Sequence, residues 1–147
     1  MRSRGYFGIG VYGMKTHENY GTLFRSANIF GASFLCMVNS RFVRQSSDTM
    51  RSERHLPLYE YTDIASFLSN RPRDCQLIGV EITDTAVGVS TFTHPERALY
   101  ILGPEDGSIP TEILDKCQHV VKLPGTHCLN VSVAGSIILY DRVCKNG

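Results

Sequence analysis

The chain has 147 residues, 42% hydrophobic and 20% charged, which fits one soluble domain able to bury a core. No apolar run approaches the roughly 20 residues of a membrane-crossing helix. The basic start Met1-Arg2-Ser3-Arg4 leads into Gly5, Gly8, Gly10 and Gly13 rather than the apolar centre of a signal peptide, so a cytoplasmic address is expected. A net charge of +1 predicts no nucleic-acid partner by itself; such binding would need local clustering of charge.

Small and apolar residues alternate over 7–13, which predicts a strand, and 19–30 has the spacing of a helix. Residues 33–39 predict a second, buried strand, and 40–55 is polar without period. Thr62 is placed to cap a short helix ending near Ser69. Further strands are expected at 75–83, 98–103 and 120–123. Pro110 fits the first turn of a helix running to Cys117, and 131–144 forms a closing helix. Strands alternating with helices imply an α/β fold, a mostly parallel sheet with helices on both faces, in a single domain over 1–147. The five cysteines, Cys36, Cys75, Cys117, Cys128 and Cys144, are odd in number and widely spread, as expected of reduced thiols serving as small hydrophobes.

Gly8-Ile9-Gly10-Val11-Tyr12-Gly13 spells a dinucleotide fingerprint. That motif works when its glycines form the turn between strand and helix, so that the helix N-terminus meets a pyrophosphate. Here the glycines lie within the predicted strand, Lys15-Thr16-His17 intervenes before the helix, and no acidic residue follows about 20 positions on. Close strand packing accounts better for them.

Three other segments carry chemistry. In Asn19-Tyr20-Gly21-Thr22-Leu23-Phe24-Arg25, helical spacing puts Leu23, Phe24, Ala27 and Phe30 on one face and Gly21, Arg25 and Asn28 on the opposite one. Arg25 therefore points away from the core, beside a glycine with no side chain to obstruct a ligand. A solvated arginine is the plainer reading of this segment alone. Leu102-Gly103-Pro104-Glu105-Asp106-Gly107 follows an apolar strand, where parallel sheets bind ligands, although a plain strand-to-helix turn would read the same. In the run from Leu123-Pro124-Gly125 through His127-Cys128-Leu129-Asn130, Asn130 is placed to cap the last helix. Ala134, Gly135 and Ser136 give that helix a small-residue patch suited to close packing, compatible with contact to a second copy.

Together and in this order, the three segments resemble the three motifs of the SpoU/TrmH family of SPOUT methyltransferases, over nearly the whole chain. The resemblance implies a C-terminal deep trefoil knot, with S-adenosylmethionine bent into the knot loops. It implies methyl transfer to a ribose 2′-hydroxyl of RNA, tRNA ahead of rRNA, by a homodimer in which the catalytic arginine completes the partner's site. Arg25 matches that arginine, with Asn19 and Gly21 completing the first motif. Gly103 and Glu105 match the second motif beside Leu102, and Leu123, Leu129 and Asn130 match the third. Val80 and Glu81 fall where the family contacts the cofactor. The implied catalytic set is Arg25, Asn19, Glu105 and Asn130. The implied cofactor set is Val80, Glu81, Leu102, Gly103, Glu105, Leu123, Cys128 and Leu129. Two departures are Cys128, where the family usually has serine, and a short stretch between Pro124 and Asn130.

The cofactor's sulfonium makes its methyl electrophilic without a metal, so none is expected. Negative charge developing on the ribose oxygen needs stabilising. The family's usual account makes the arginine a general base. A guanidinium with a pKa above about 12 is almost never neutral, so positioning a phosphate and stabilising the oxyanion is the physically easier role. RNA contact is expected from Arg41, Arg44, Arg51, Arg54 and His55, set against only Asp48 and Glu53, with a solvated loop as the alternative. The rival from another class is a catalytically silent RNA-binding or assembly protein that retains the fold. A metal site on Cys117, His119, His127 and Cys128 matches no common zinc spacing.

Overall fold

The computed structural model describes residues 5–14, 17–40, 48, 51–127 and 129–146; Arg41, Arg44 and Cys128 lie outside the described residues. The first half of the chain runs β1 (Tyr6–Tyr12), α1 (His17–Ile29), β2 (Phe34–Val38), a 3-10 turn (Ser52–Arg54), β3 (Leu58–Tyr61), α2 (Ile64–Asn70) and β4 (Gln76–Val80). Then follow β5 (Val87–Gly88), a second 3-10 turn (Val89–Thr91), β6 (Arg97–Leu102), α3 (Thr111–Leu114), β7 (His119–Lys122) and α4 (Val131–Asn146). The strands form one seven-stranded sheet in the order β3-β2-β1-β6-β4-β7-β5, parallel at every described pairing.

Parallel strands covered on both faces have no polar side, and β2 is buried at all five positions. Phe7, Ile9 and Val11 of β1 point into a core shared with Leu23, Phe24 and Ala27 of α1 and Ile138 and Leu139 of α4. Phe34, Cys36 and Val38 of β2 point the other way, toward Phe67 of α2 and Ile113 of α3. Helices thus cover both faces. On β1, a Cβ at Gly8 would run into the Phe34 ring and one at Gly10 into the Cys36 sulfur. These glycines let neighbouring strands pack, as expected, and form no nucleotide turn.

Several boundaries differ from the pattern-based expectation. β3 was hidden in the sequence because Tyr59 and Glu60 are exposed at the sheet edge, leaving no apolar alternation. The cap of α2 is Asp63, not Thr62: its Oδ1 accepts the Ser66 amide at 2.7 Å. α3 ends at Leu114, not Cys117, because the chain goes on with three-residue turns, Lys116 N–H to Ile113 O and Cys117 N–H to Leu114 O. Cys36 and Cys75 are buried free thiols, whereas Cys144 is exposed, which departs from the small-hydrophobe expectation at the end of α4. The patch on α4 is largely used within the chain. A Cβ at Gly135 would run into Leu23 of α1, and Ser136 Oγ lies 2.9 Å from Ser26 Oγ.

Candidate functional site

In the strand order β6-β4-β7, three parallel strands end side by side, and their carboxyl ends open into one cleft. It encloses about 570 Å³ of empty space, part of it open to solvent. Val80, Leu102, Leu123, Leu129, Val131 and Ala134 supply apolar walls; Glu81 and Glu105 supply carboxylates; Gly103 sits at the base of the loop leaving β6. Every described residue of the implied cofactor set lines this cleft.

The loop from Gly103 to Ile109 doubles back on itself. A Cβ at Gly103 would lie 2.9 Å from the Ile109 nitrogen and 3.1 Å from the Ser108 carbonyl carbon, so only glycine permits the approach. Glu81 lines the cleft beside this loop. Burial pushes its carboxyl pKa up and the neighbouring Ser108 and Ile109 pull it partly back; the net shift is upward.

The first and third motifs meet at the N-terminus of α4. Asn130 caps the helix as expected: its Oδ1 accepts the Ser132 amide at 2.9 Å and the Ser132 hydroxyl at 2.6 Å. Its amide nitrogen donates to Asn19 Oδ1 at 3.1 Å, across 111 residues of sequence. Arg25 is exposed, as expected, but does not line the cleft. It makes no hydrogen bond or ion pair among the described residues. Helical spacing puts it on one face with Thr22, Ser26 and Ile29. Thr22, Phe30, Val133, Ile137 and Tyr140 form a shallow apolar groove between α1 and α4, where Tyr140 is 59% exposed. Gly21 is buried, so it is not the open surface beside Arg25 that helical spacing suggested.

Arg51 precedes the first 3-10 turn and Arg54 is its last residue; the turn packs against α1. Asp48, counted above as an opposing surface charge, is instead buried. Its carboxylate accepts from the Ser52 amide at 2.8 Å and the Ser52 hydroxyl at 3.0 Å. Arg51 adopts left-handed φ 49°, uncommon for a residue with a side chain. Cys117 and His119 have other partners, the Ile113 carbonyl and the Gln76 side chain. Among the described residues no group of three or more His, Cys, Asp or Glu is placed to hold a metal ion, and no helix is long and apolar enough to cross a membrane. His127 lines the cleft without having been assigned to it; its place inside the third motif was the available signal.

Residues 7–140 match the SpoU rRNA Methylase family. Over 135 residues the chain is 27% identical to tRNA (guanosine(18)-2′-O)-methyltransferase TARBP1 of Mus musculus, covering 84% of this chain and 8% of that protein. It is 29% identical over 152 positions to rRNA methyltransferase 1, mitochondrial, of Schizosaccharomyces pombe, covering 92% of this chain and 50% of that one. The chain therefore spans half or less of the length of these two curated relatives. The fold is similar to the SpoU methyltransferase AviRb from Streptomyces viridochromogenes in complex with AdoMet, with a TM-score of 0.82 at 20% identity, over 96% of this chain and 60% of that one. Since the family match takes in all three motif segments and the cleft they build, the chain belongs to the SpoU rRNA methylase family.

Proposed function

We propose that this chain transfers a methyl group from S-adenosylmethionine to a ribose 2′-hydroxyl of RNA, with tRNA the first substrate to test and rRNA the second. The observation that carries the reading is the Asn130–Asn19 hydrogen bond, which joins the first and third motifs at the rim of a cleft walled by the second and third. The cleft suits the cofactor chemically. Its walls are apolar, and its two carboxylates suit a ligand bearing a sulfonium and an ammonium.

Bound there, S-adenosylmethionine supplies an electrophilic methyl group. The apolar walls exclude water from it. Arg25 stays charged and stabilises the developing ribose oxyanion while holding a neighbouring phosphate. Because Arg25 stands outside its own chain's cleft, the reading includes a homodimer in which it completes the partner's site. The apolar groove between α1 and α4 supplies the contact. Arg51 and Arg54, with Arg41 and Arg44, hold RNA phosphates, and affinity should then fall steeply with salt. By likeness to its family, the reading also includes a C-terminal trefoil knot and a cytoplasmic address.

Calorimetric titration with S-adenosylmethionine, mass in solution, and mass spectrometry of treated tRNA and rRNA test this. Saturable binding to a dimer and 2′-O-methylated nucleosides are expected. Arg25→Ala should abolish methyl transfer and leave cofactor affinity unchanged. Mixing it with a cleft-defective variant should restore activity through hybrid dimers. A folded chain that binds RNA but no cofactor would sink the enzyme reading in favour of a silent RNA-binding protein.

A further inference from the structure

Resting on the reading of RNA as the partner, we infer that an arginine–tyrosine strip at the amino ends of the strands is a further RNA contact, holding a single-stranded segment of the substrate away from the cleft. The strip lies on the sheet face that α2 and α3 cover only toward the carboxyl ends, where Phe67 stands edge-on to Tyr61 with ring centres 5.4 Å apart. At the amino ends this face stays open. Tyr59 of β3 is 39% exposed, Tyr6 of β1 is half-buried, and Arg97, the first residue of β6, is exposed. The length of β6 puts about 20 Å between the strip and the cleft, at roughly 3.3 Å per residue.

The strip is continuous. Strand register pairs Tyr6 with Arg97, and the Arg97 guanidinium carbon lies 4.6 Å from the centre of the Tyr6 ring. The Tyr6 ring is 5.3 Å from that of Phe34, and Phe34 is 5.9 Å from Tyr59. On the other side Gln76 pairs with Ala98, so Cys75 stands beside Arg97, and the Arg71 guanidinium donates to the Cys75 carbonyl at 3.1 Å. Two cations and two accessible rings therefore form one row, braced by the buried Phe34. Asp74 and Glu96 adjoin these arginines in the chain, yet neither arginine forms an ion pair among the described residues. The Arg71 Nε has no acceptor.

This chemistry suits a strand of RNA. Guanidinium groups complement phosphate charge and offer a flat face to a base, and tyrosine rings stack bases of any sequence. A lipid headgroup would offer the phosphate but nothing flat for Tyr59. Stacking on Tyr6 holds the Arg97 guanidinium in place beforehand, so less freedom is lost on binding. Arg51 and Arg54 belong to the turn packed on α1, which covers the opposite face of the sheet, so the strip is a separate contact.

Fluorescence anisotropy across a salt series, with a labelled oligouridylate and with unfractionated tRNA, tests the strip in wild type, Arg97→Ala, Tyr59→Ala and Tyr59→Phe. Arg97→Ala should flatten the slope of log affinity against log salt by about 0.7 for the oligouridylate. Tyr59→Ala should weaken binding about fivefold or more at unchanged slope, and Tyr59→Phe should restore it. Affinity for S-adenosylmethionine should stay at the wild-type value in all three. Unchanged RNA affinity and slope in Arg97→Ala and Tyr59→Ala would overturn the strip. A fall in solution mass in either variant would also overturn it, by assigning the face to contact between copies of this chain. If Arg97→Ala fails to fold, Tyr59→Ala, at an exposed edge position, still decides. A wild type that binds tRNA but not the oligouridylate overturns the single-stranded assignment, and one that binds neither overturns the RNA reading itself.

Discussion

At its N-terminal end α4 opens onto a cleft, where Asn130 is an exposed side chain held by three hydrogen bonds to Ser132 and Asn19. At its C-terminal end the same helix sends Asp141, Arg142, Lys145 and Asn146 against residues 89–96. Arg142 is fully buried. It donates to the Pro95 carbonyl at 2.7 Å, the Glu96 carbonyl at 2.8 Å and the Tyr100 hydroxyl at 3.0 Å, with its guanidinium 4.4 Å from the Phe7 ring. Because the Asp141 carboxylate can only accept, His94 Nε2–H donates to it at 2.6 Å, and Nδ1 of the neutral ring accepts from the Tyr100 hydroxyl at 2.6 Å. Lys145 lies 2.9 Å from Asp141 and also reaches the Val89 and Phe92 carbonyls. The same residue types are sealed and paired at one end and open at the other. A helix bolted by its far end can hold an exposed asparagine in register at its near end.

The largest expected effect breaks the sealed end. Arg142→Leu leaves two carbonyls and the Tyr100 hydroxyl without their donor, and should cost about 3–5 kcal/mol in stability. Denaturant unfolding measures it. The molecules that remain folded should keep the cleft and bind cofactor normally. A loss below about 1 kcal/mol would show that the network is ornamental to the fold.

The open end could be read in the sequence and the sealed end could not. Asn130, Gly103 and Glu105 stand within short, ordered segments, so local spacing carried the information. The bonds that tie α4 into the sealed network span 42 to 56 positions, from Tyr100–Arg142 to Val89–Lys145. Its members are single polar residues in a loop, on β6 and on α4, with no period to mark them. The sheet was legible where strands are buried on both faces, as in β2, and lost at the edges. There β3 exposes half its residues and β5 has only two. The position of Arg25 outside its own cleft depends on how α1 lies against α4, which no local pattern encodes.

A smaller effect comes from the open end. Asn130→Ala removes the cap and the tie to Asn19, and should cost about 1 kcal/mol in stability while losing most methyl transfer. Asn130→Asp sharpens the contrast. An aspartate still accepts from Ser132 and caps the helix, but its carboxylate cannot donate to Asn19. The thermal midpoint should stay near that of the wild type while methyl transfer falls. Equal stability and equal activity in Asn130→Asp would mean that the Asn19 link has no part in the reaction.

The smallest expected effect is the pH dependence of the sealed end. Burial holds the His94 pKa below its ordinary 6.5; Asp141 pulls it up, and Arg142 and Lys145 push it down. In the unfolded chain His94 regains its ordinary value, so below that pH the unfolded state binds the extra proton more readily. Stability from a neutral His94 is therefore fully present above about pH 6.5 and is lost as pH falls through the folded pKa. Protonation would also force Nδ1 to donate toward Tyr100, which already accepts from Arg142, and would place a second cation beside that guanidinium. Thermal melts should show a drop of a few degrees between pH 7.5 and 5.5 in the wild type, at about 2–4 °C per kcal/mol for a chain of this size. His94→Gln can accept from Tyr100 and donate to Asp141 without titrating, so its melting point should change less over the same interval. If both proteins lose the same number of degrees, the acid sensitivity lies elsewhere and the relay through His94 is indifferent to its protonation.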